Sequence, residues 1–459
     1  MKGYWDIVNA YSRPEIDTLS LLKRLADISL CDADFRDGLQ NDHTKARSLA
    51  ISYGFDDGQD DLDDMLATLC PVQSSDTERT LRLRELWRDF NTQKAALLEL
   101  LASYNVSRAG DPFGTWRSRN QFRLRSEIGT AAKAIPHALV AFELSKGCSV
   151  GCSFCGIDAA KFGGHAVFDT ALESEWRAIL DFMRRRFGKS LNNGFLYWGT
   201  DPLDSPYYLD FARIFYQVTG VFPQVTTAIP LRDVVRVREI LAFAQGKSVV
   251  PHRFSILSKN VFRRTLATFT PEELLHVELI GQHSESQIVK ANAGRALDPN
   301  GRQDQTGDFA ALNRPTTIAC VTGFLVNIAE RSIKMVSPTY ASSRWPNGYI
   351  VFGEQSYSDA ESFERAIEHL VGKETTFEFT DKSKPRFRSD LALAFDGEGF
   401  SLASSAVVHK FPAYGAVARA IATDDHELGA IISSGTSTIG ENLLFVRGLY
   451  KAGLIELVA

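Results

Sequence analysis

The 459-residue sequence predicts an α/β protein: an open, partial (β/α)6 barrel with a helical region before it and a winged-helix module after it. Three observations predict that order. Leucines recur at helix spacing through residues 1–130, with little strand-like alternation. Short apolar segments alternate with helical stretches through residues 131–375, the signature of βα units building a parallel sheet. A hairpin signal and then further helices occupy residues 376–459.

The elements follow in order. Leu19, Leu21, Leu22, Leu25 and Ile28 share one helix face, and Leu81, Leu83, Leu86 and Phe90 another, continued by Leu97, Leu98, Leu100 and Leu101. Gly54 marks a turn, and residues 71–75 a loop between helices. Strands are expected at 138–144, 194–198, 224–228, 253–257, 276–280 and 316–321, with helices over 172–187, 207–219 and 231–245 between them. In βα barrels catalytic groups gather at the carboxyl ends of the strands. Residues 391–395 and 400–402 flank Asp396-Gly397-Glu398-Gly399, a hairpin turn, and two or three helices follow it.

Composition is that of an ordinary globular protein, 44% apolar and 23% charged. A net charge of −5 carries no basic footprint, which argues against nucleic acid as a partner. The acidic run between Asp56 and Asp64 and the basic run Arg184–Arg186 read as solvated faces. No apolar run approaches the roughly 18 residues of a membrane helix, and the start lacks the apolar core of a signal peptide. The expectation is a cytoplasmic protein with no membrane partner.

Six cysteines are present, and three fall within eight residues: Cys148-Ser-Val-Gly-Cys152-Ser-Phe-Cys155. An iron–sulfur cube needs thiolate ligands. Three thiolates leave the fourth iron of a 4Fe–4S cluster open to an exogenous ligand such as S-adenosylmethionine. An electron passed into its sulfonium then yields a 5′-deoxyadenosyl radical. The alternatives are a zinc loop or chance clustering. Zinc sites usually add a second cysteine pair, and none is present.

The cysteine loop, the strand before it and the βα series resemble the radical S-adenosylmethionine superfamily over roughly residues 135–345. The resemblance implies one 4Fe–4S cluster on Cys148, Cys152 and Cys155. Trp198-Gly199-Thr200-Asp201-Pro202 resembles the superfamily's Gly-Gly-Glu-Pro element, which holds the cofactor's amino group. Thr200 and Asp201 depart from that pattern, although an Asp can still take an ammonium. Ser255, Ser258 and Asn260 stand where the superfamily binds ribose or carboxylate, and Phe154 where an aromatic packs near adenine. Their plain readings are turn residues and a loop anchor.

Cys320 lies in the sixth expected strand, where a free cysteine is ordinarily a small hydrophobe. Its surroundings, with Ser332–Pro338 and Arg344–Phe352, are similar to radical peptide epimerases of proteusin-type ribosomal peptide pathways. That resemblance implies a precursor peptide as substrate and Cys320 as the hydrogen-atom donor that completes inversion of an α-carbon. It also implies an electron donor such as flavodoxin or ferredoxin. Cys31, Cys70 and Cys320 are too few and too scattered for an auxiliary cluster. The C-terminal module resembles the winged-helix leader-recognition elements of these pathways, which bind a leader as an added strand. A fainter likeness to their leader peptides runs through Leu21–Gly54, against the plainer reading of a helical bundle. Peptide crosslinking or excision, and a non-catalytic leader-binding iron–sulfur protein, remain as alternatives.

Overall fold

The computed structural model describes residues 3–58, 61–74, 76–105, 110–287, 293–296, 317–375, 379–423 and 426–458. Its N-terminal part is helical: α1 (Tyr4–Val8), α2 (Arg13–Cys31), α3 (Ala33–Asn41), α4 (His43–Ser52), α5 (Leu62–Thr68), α6 (Glu78–Ala95), α7 (Leu97–Ser103) and α8 (Pro112–Ile128). The starts are set by caps. Ser12 and Glu15 make a capping box on α2, and the Asp32 and Asp42 carboxylates cap α3 and α4. Leu22, Leu25 and Ile28 are fully buried, as their spacing requires. The Tyr4 N–H donates to the Val249 carbonyl at 2.8 Å, fastening this region to the loop ahead of the strand at residues 252–256.

The central part begins with β1 (Ala138–Glu143), a run buried along its length. A short ribbon follows, β2 (Ser145–Lys146) with β3 (Gly164–His165). Then come α9 (Thr170–Phe187), α10 (Tyr208–Thr219), β4 (Thr226–Thr227), α11 (Val234–Ala244), β5 (His252–Ile256), α12 (Lys259–Thr268), α13 (Pro271–Leu275) and β6 (Val277–Gly281). After them stand β7 (Val321–Asn327), β8 (Ser332–Pro338), β9 (Tyr349–Ser356) and α14 (Ala360–Thr375). Strands β4, β5 and β6 pair in parallel. The other sheet runs β1-β7-β8-β9, parallel at β1–β7 and antiparallel beyond. Neither sheet closes.

Two expected strands come out differently. The stretch 194–198 joins the sheet only at Phe195, which exchanges backbone hydrogen bonds with Val140 and Phe142. Toward β4 the link is through side chains, Thr226 Oγ1 donating to the Tyr197 hydroxyl at 2.8 Å, so no ladder forms there. The sixth strand starts at Val321, one residue past Cys320, and Thr316 lies outside the described residues. It pairs with β1 and does not extend the row beyond β6. Every residue of β7 is buried, in keeping with its central place in the sheet between β1 and β8.

The core fills the outer side of this sheet. Trp176 of α9 meets Phe142 edge-on at 4.7 Å, and its indole N–H donates to the Phe211 carbonyl at 3.1 Å. Phe113 of α8 stacks on Phe324 of β7 at 5.4 Å.

The C-terminal part pairs β10 (Lys384–Phe387) with the last strand, β14 (Ile455–Val458). Between them lie an antiparallel meander, β11 (Ala392–Asp396), β12 (Gly399–Ala403) and β13 (Val408–Phe411), and three helices, α15 (Gly415–Ala422), α16 (Leu428–Ile432) and α17 (Ile439–Lys451). The expected hairpin is β11–β12, turning at Gly397 with φ +60°. Phe400, Leu402, Val417, Ile421 and Val446 form a separate core. This part rests on α8, where Arg119 lies 4.3 Å above the Tyr450 ring and donates to the Ile455 carbonyl. Among the described residues no helix is long and apolar enough to cross a membrane.

Candidate active site

The cysteine loop leaves the carboxyl end of β1. The β2–β3 ribbon ties its two ends together, and the Cys148 N–H donates to the Ala160 carbonyl at 2.9 Å. Gly147 has φ +63°, and a Cβ there would run into the Ala160 and Lys161 carbonyls, so the turn into Cys148 requires glycine. Within the loop, Cys155 N–H donates to the Cys152 carbonyl and Asp158 N–H to the Cys155 carbonyl. The Ala159 N–H donates to the Cys155 sulfur at 3.5 Å. All three cysteines are half-buried.

Two clamps hold this loop from opposite sides, and neither was legible as a motif. Asp204, buried, accepts from the Ser149 N–H at 2.8 Å and from the Ser149 hydroxyl. Arg232 closes that clamp, donating to Asp204 Oδ1 at 3.0 Å and Ser149 Oγ at 2.6 Å. On the other side Arg295 donates from Nε to Asp158 at 2.9 Å and from Nη1 to the Cys152 carbonyl at 3.0 Å. Its Nη2 donates to the Ala159 carbonyl, and its backbone N–H to the Cys155 carbonyl at 2.9 Å.

Burial pushes the Cys148 thiol up to about 11, and the nearby Asp201 and Asp204 carboxylates add to the shift. A thiolate at that position calls for a cation beside it, and coordination to metal deprotonates a thiol outright. Asp32, Asp34 and Glu285 lie close together elsewhere in the fold and already share the Lys259 ammonium at 3.1, 3.4 and 2.9 Å.

The Gly199–Pro202 element lies beside the loop. The Gly199 N–H donates to Glu143 Oε1 at 2.8 Å, and Ile157 of the cysteine loop packs against Gly199. Glu143 ends β1, is held also by Asn327 Nδ2 at 3.3 Å, and is pushed by burial up to about 7. Thr200 is buried. Asp201 is buried too, and burial pushes it up to about 6. Its carboxylate accepts from Leu203 N–H at 3.0 Å, Thr227 Oγ1 at 2.8 Å and Ala228 N–H at 2.8 Å. Those bonds tie the element to β4 and occupy much of the acceptor capacity that an ammonium would use.

The remaining candidates are dispersed. Phe154 and Ser255 are half-buried. Ser258 caps α12, accepting from the Val261 N–H at 3.2 Å, and Asn260 is exposed on the first turn of that helix.

Cys320 stands at the opposite end of the sheet. Its carbonyl accepts from the Ala138 N–H at 2.8 Å, at the amino end of β1. Its side chain packs with Phe195, Tyr197 and Trp198 and lines a cavity of about 600 Å3. Burial pushes its thiol up to about 12, so it stays S–H. Two residues earlier, Ile318 packs on Gly156 of the cysteine loop, so one short segment touches both regions.

No protein-family model matches the chain. A crystal structure of BtrN in complex with AdoMet and 2-DOIA aligns with 32% of this chain and 56% of BtrN, at 11% identity and a TM-score of 0.25, too slight a likeness to carry an argument. A bacterial protein from Sinorhizobium fredii (strain NBRC 101917 / NGR234), the uncharacterized protein y4wI, is 32% identical over 468 residues, covering 99% of this chain and 90% of that protein. At that identity over nearly the whole length, the chain belongs to the same family as y4wI.

Proposed function

We propose that the chain is a radical S-adenosylmethionine enzyme that converts L-residues of a ribosomal precursor peptide to D-residues. One observation carries the reading: the C-x3-C-x2-C loop leaves the carboxyl end of β1 and is clamped there by Asp204, Arg232 and Arg295. Cys148, Cys152 and Cys155 follow the carboxyl end of β1, whereas Cys320 precedes β7 beside the amino end of β1. Inversion of an α-carbon needs a hydrogen abstractor and a hydrogen donor, and Ile318, packed on Gly156, connects the Cys320 segment to the cysteine loop.

Cys148, Cys152 and Cys155 would hold a 4Fe–4S cluster, with the Gly199–Asp201 element beside it for S-adenosylmethionine. When bound, that pair supplies a hydrogen-atom abstractor. Asp204, Arg232 and Arg295 hold the loop in shape. Cys320 gives its S–H hydrogen to the planar α-carbon from the other side, and its high pKa keeps the thiol protonated for this. The sulfur then regains an electron and a proton, for which flavodoxin or ferredoxin is a suitable donor.

Recognition of the leader falls to the C-terminal part, read as a winged-helix leader-binding module. Among the described residues β13 ends its sheet, and its outer edge can take an added strand. A groove of about 540 Å3 runs between β13 and α17, lined by Phe411, Tyr414, Leu444 and Phe445. Leu444 is 69% exposed there, an apolar contact awaiting a partner.

The test uses reduced protein, S-adenosylmethionine and a cognate precursor in deuterated water. One deuterium per modified α-carbon and D-residues on chiral hydrolysis are expected. Loss of mass, or a crosslink, would sink the epimerase reading in favour of excision or crosslinking. No cofactor cleavage at all would leave a non-catalytic leader-binding protein.

A further inference from the structure

The cavity beside Cys320 carries unequal charge. Lys94 from α6, Arg253 from β5 and Glu278 from β6 line it together. The Glu278 carboxylate takes Lys94 at 3.1 Å and Arg253 Nε at 3.3 Å. Behind them Lys23 and Asp27 pair with each other at 2.7 Å. One carboxylate therefore serves two cations at the wall.

The surplus sits on Arg253. Its side chain is 45% exposed, and among the described residues only its Nε has a hydrogen-bond partner. The Tyr197 and Gln224 groups of the wall are already committed. The Tyr197 hydroxyl donates to Gln224 Oε1 at 3.2 Å and accepts from Thr226, while Gln224 Nε2 donates to the Pro251 carbonyl at 2.7 Å. The guanidinium's two terminal nitrogens are thus open, charged donors in a cavity of about 600 Å3.

We propose that this cavity is a carboxylate-binding site with Arg253 as its receptor. A guanidinium edge offers two parallel N–H groups, which match the two oxygens of a carboxylate. Half-enclosure strengthens the attraction relative to open water. The volume suits one side chain with its local backbone, or a small free acid. That the carboxylate belongs to an acidic residue of the peptide rests on the function proposed above. The preference for anions does not.

Cys320 reports on the cavity from inside, which permits a test without any radical chemistry. The full chain is alkylated with iodoacetate or with iodoacetamide, and modification of Cys320 is followed by mass spectrometry. Both reagents need the same thiolate, so the ratio of their rates isolates the reagent's charge. In native protein the iodoacetate-to-iodoacetamide ratio at Cys320 should exceed that of N-acetylcysteine by about three- to tenfold. Arg253→Gln should bring it down to the reference, and Arg253→Lys should keep most of the excess. A native ratio equal to the reference, or an excess unchanged in Arg253→Gln, overturns the proposal.

A second arm separates the sources of the carboxylate. Acetyl-aspartyl-glycinamide, acetyl-asparaginyl-glycinamide and succinate are each tested for slowing iodoacetamide at Cys320. Protection by the aspartyl peptide supports an acidic peptide residue, and protection by succinate alone supports a free acid. Equal protection by the asparaginyl peptide overturns the carboxylate assignment.

Discussion

Arg295 donates to the carbonyl of Cys152 across 3.0 Å, and its backbone N–H donates to the carbonyl of Cys155. The loop that carries the three cysteines is thereby held by main-chain contacts that do not depend on its sulfurs. Arg295→Ala should remove the guanidinium contacts and cost about 1–3 kcal/mol of local order. After anaerobic reconstitution the variant should hold at most about half the iron of the native chain, with unchanged far-UV circular dichroism. Asp204→Ala should act in the same direction through Ser149. Full iron content in both variants would remove the clamps from the account.

Gly147 and Gly151 make a matched pair. Both have positive φ, +63° and +64°, but only at Gly147 would a Cβ meet backbone oxygens. Gly151→Ala should cost only the backbone penalty of about 1–2 kcal/mol. Gly147→Ala should cost more and should lower iron uptake. Urea unfolding of the two variants, with iron assayed in parallel, distinguishes them, and equal effects would count against the steric argument.

Glu143 links stability to pH. Its ordinary value is near 4.5 and burial raises it to about 7. The folded state therefore favours the neutral acid. That contribution is present in full below about pH 4.5 and is lost as pH rises through about 7, at a cost of about 3 kcal/mol. Asp201, raised to about 6, works in the same direction. Urea unfolding free energy should fall between about pH 5 and about pH 8, and Glu143→Gln should remove roughly half of that fall. A native profile that rises over this range would contradict the burial assignment.

The groove between β13 and α17 predicts a peptide contact at Leu444. Leu444→Arg places a charge on the apolar wall and should weaken binding of a fluorescent leader peptide by about tenfold or more. Anisotropy titration reads this directly. Leu444→Met, similar in size and apolarity, should bind nearly as the native chain does.

Much of the fold was legible because local pattern and burial agreed. The leucine spacing of α2, the buried run of β1 and the Asp396–Gly399 turn each specify their element without help from distant residues. The second strand was less legible, since Tyr197 meets Thr226 through hydroxyls and no backbone ladder forms there.

The spacing of Cys148, Cys152 and Cys155 is a property of the sequence, and it alone defines which chemistry the loop suits. The clamps on that loop come from positions 204, 232 and 295, too far apart in the chain for any local pattern to join them. The register of β7 was likewise undecided. Its apolar run calls for a central strand, but the run does not encode that β1 is its hydrogen-bonded partner. That pairing sets Cys320 at the amino end of β1, opposite the cysteine loop, because parallel pairing carries the residue before one strand to the start of its neighbour.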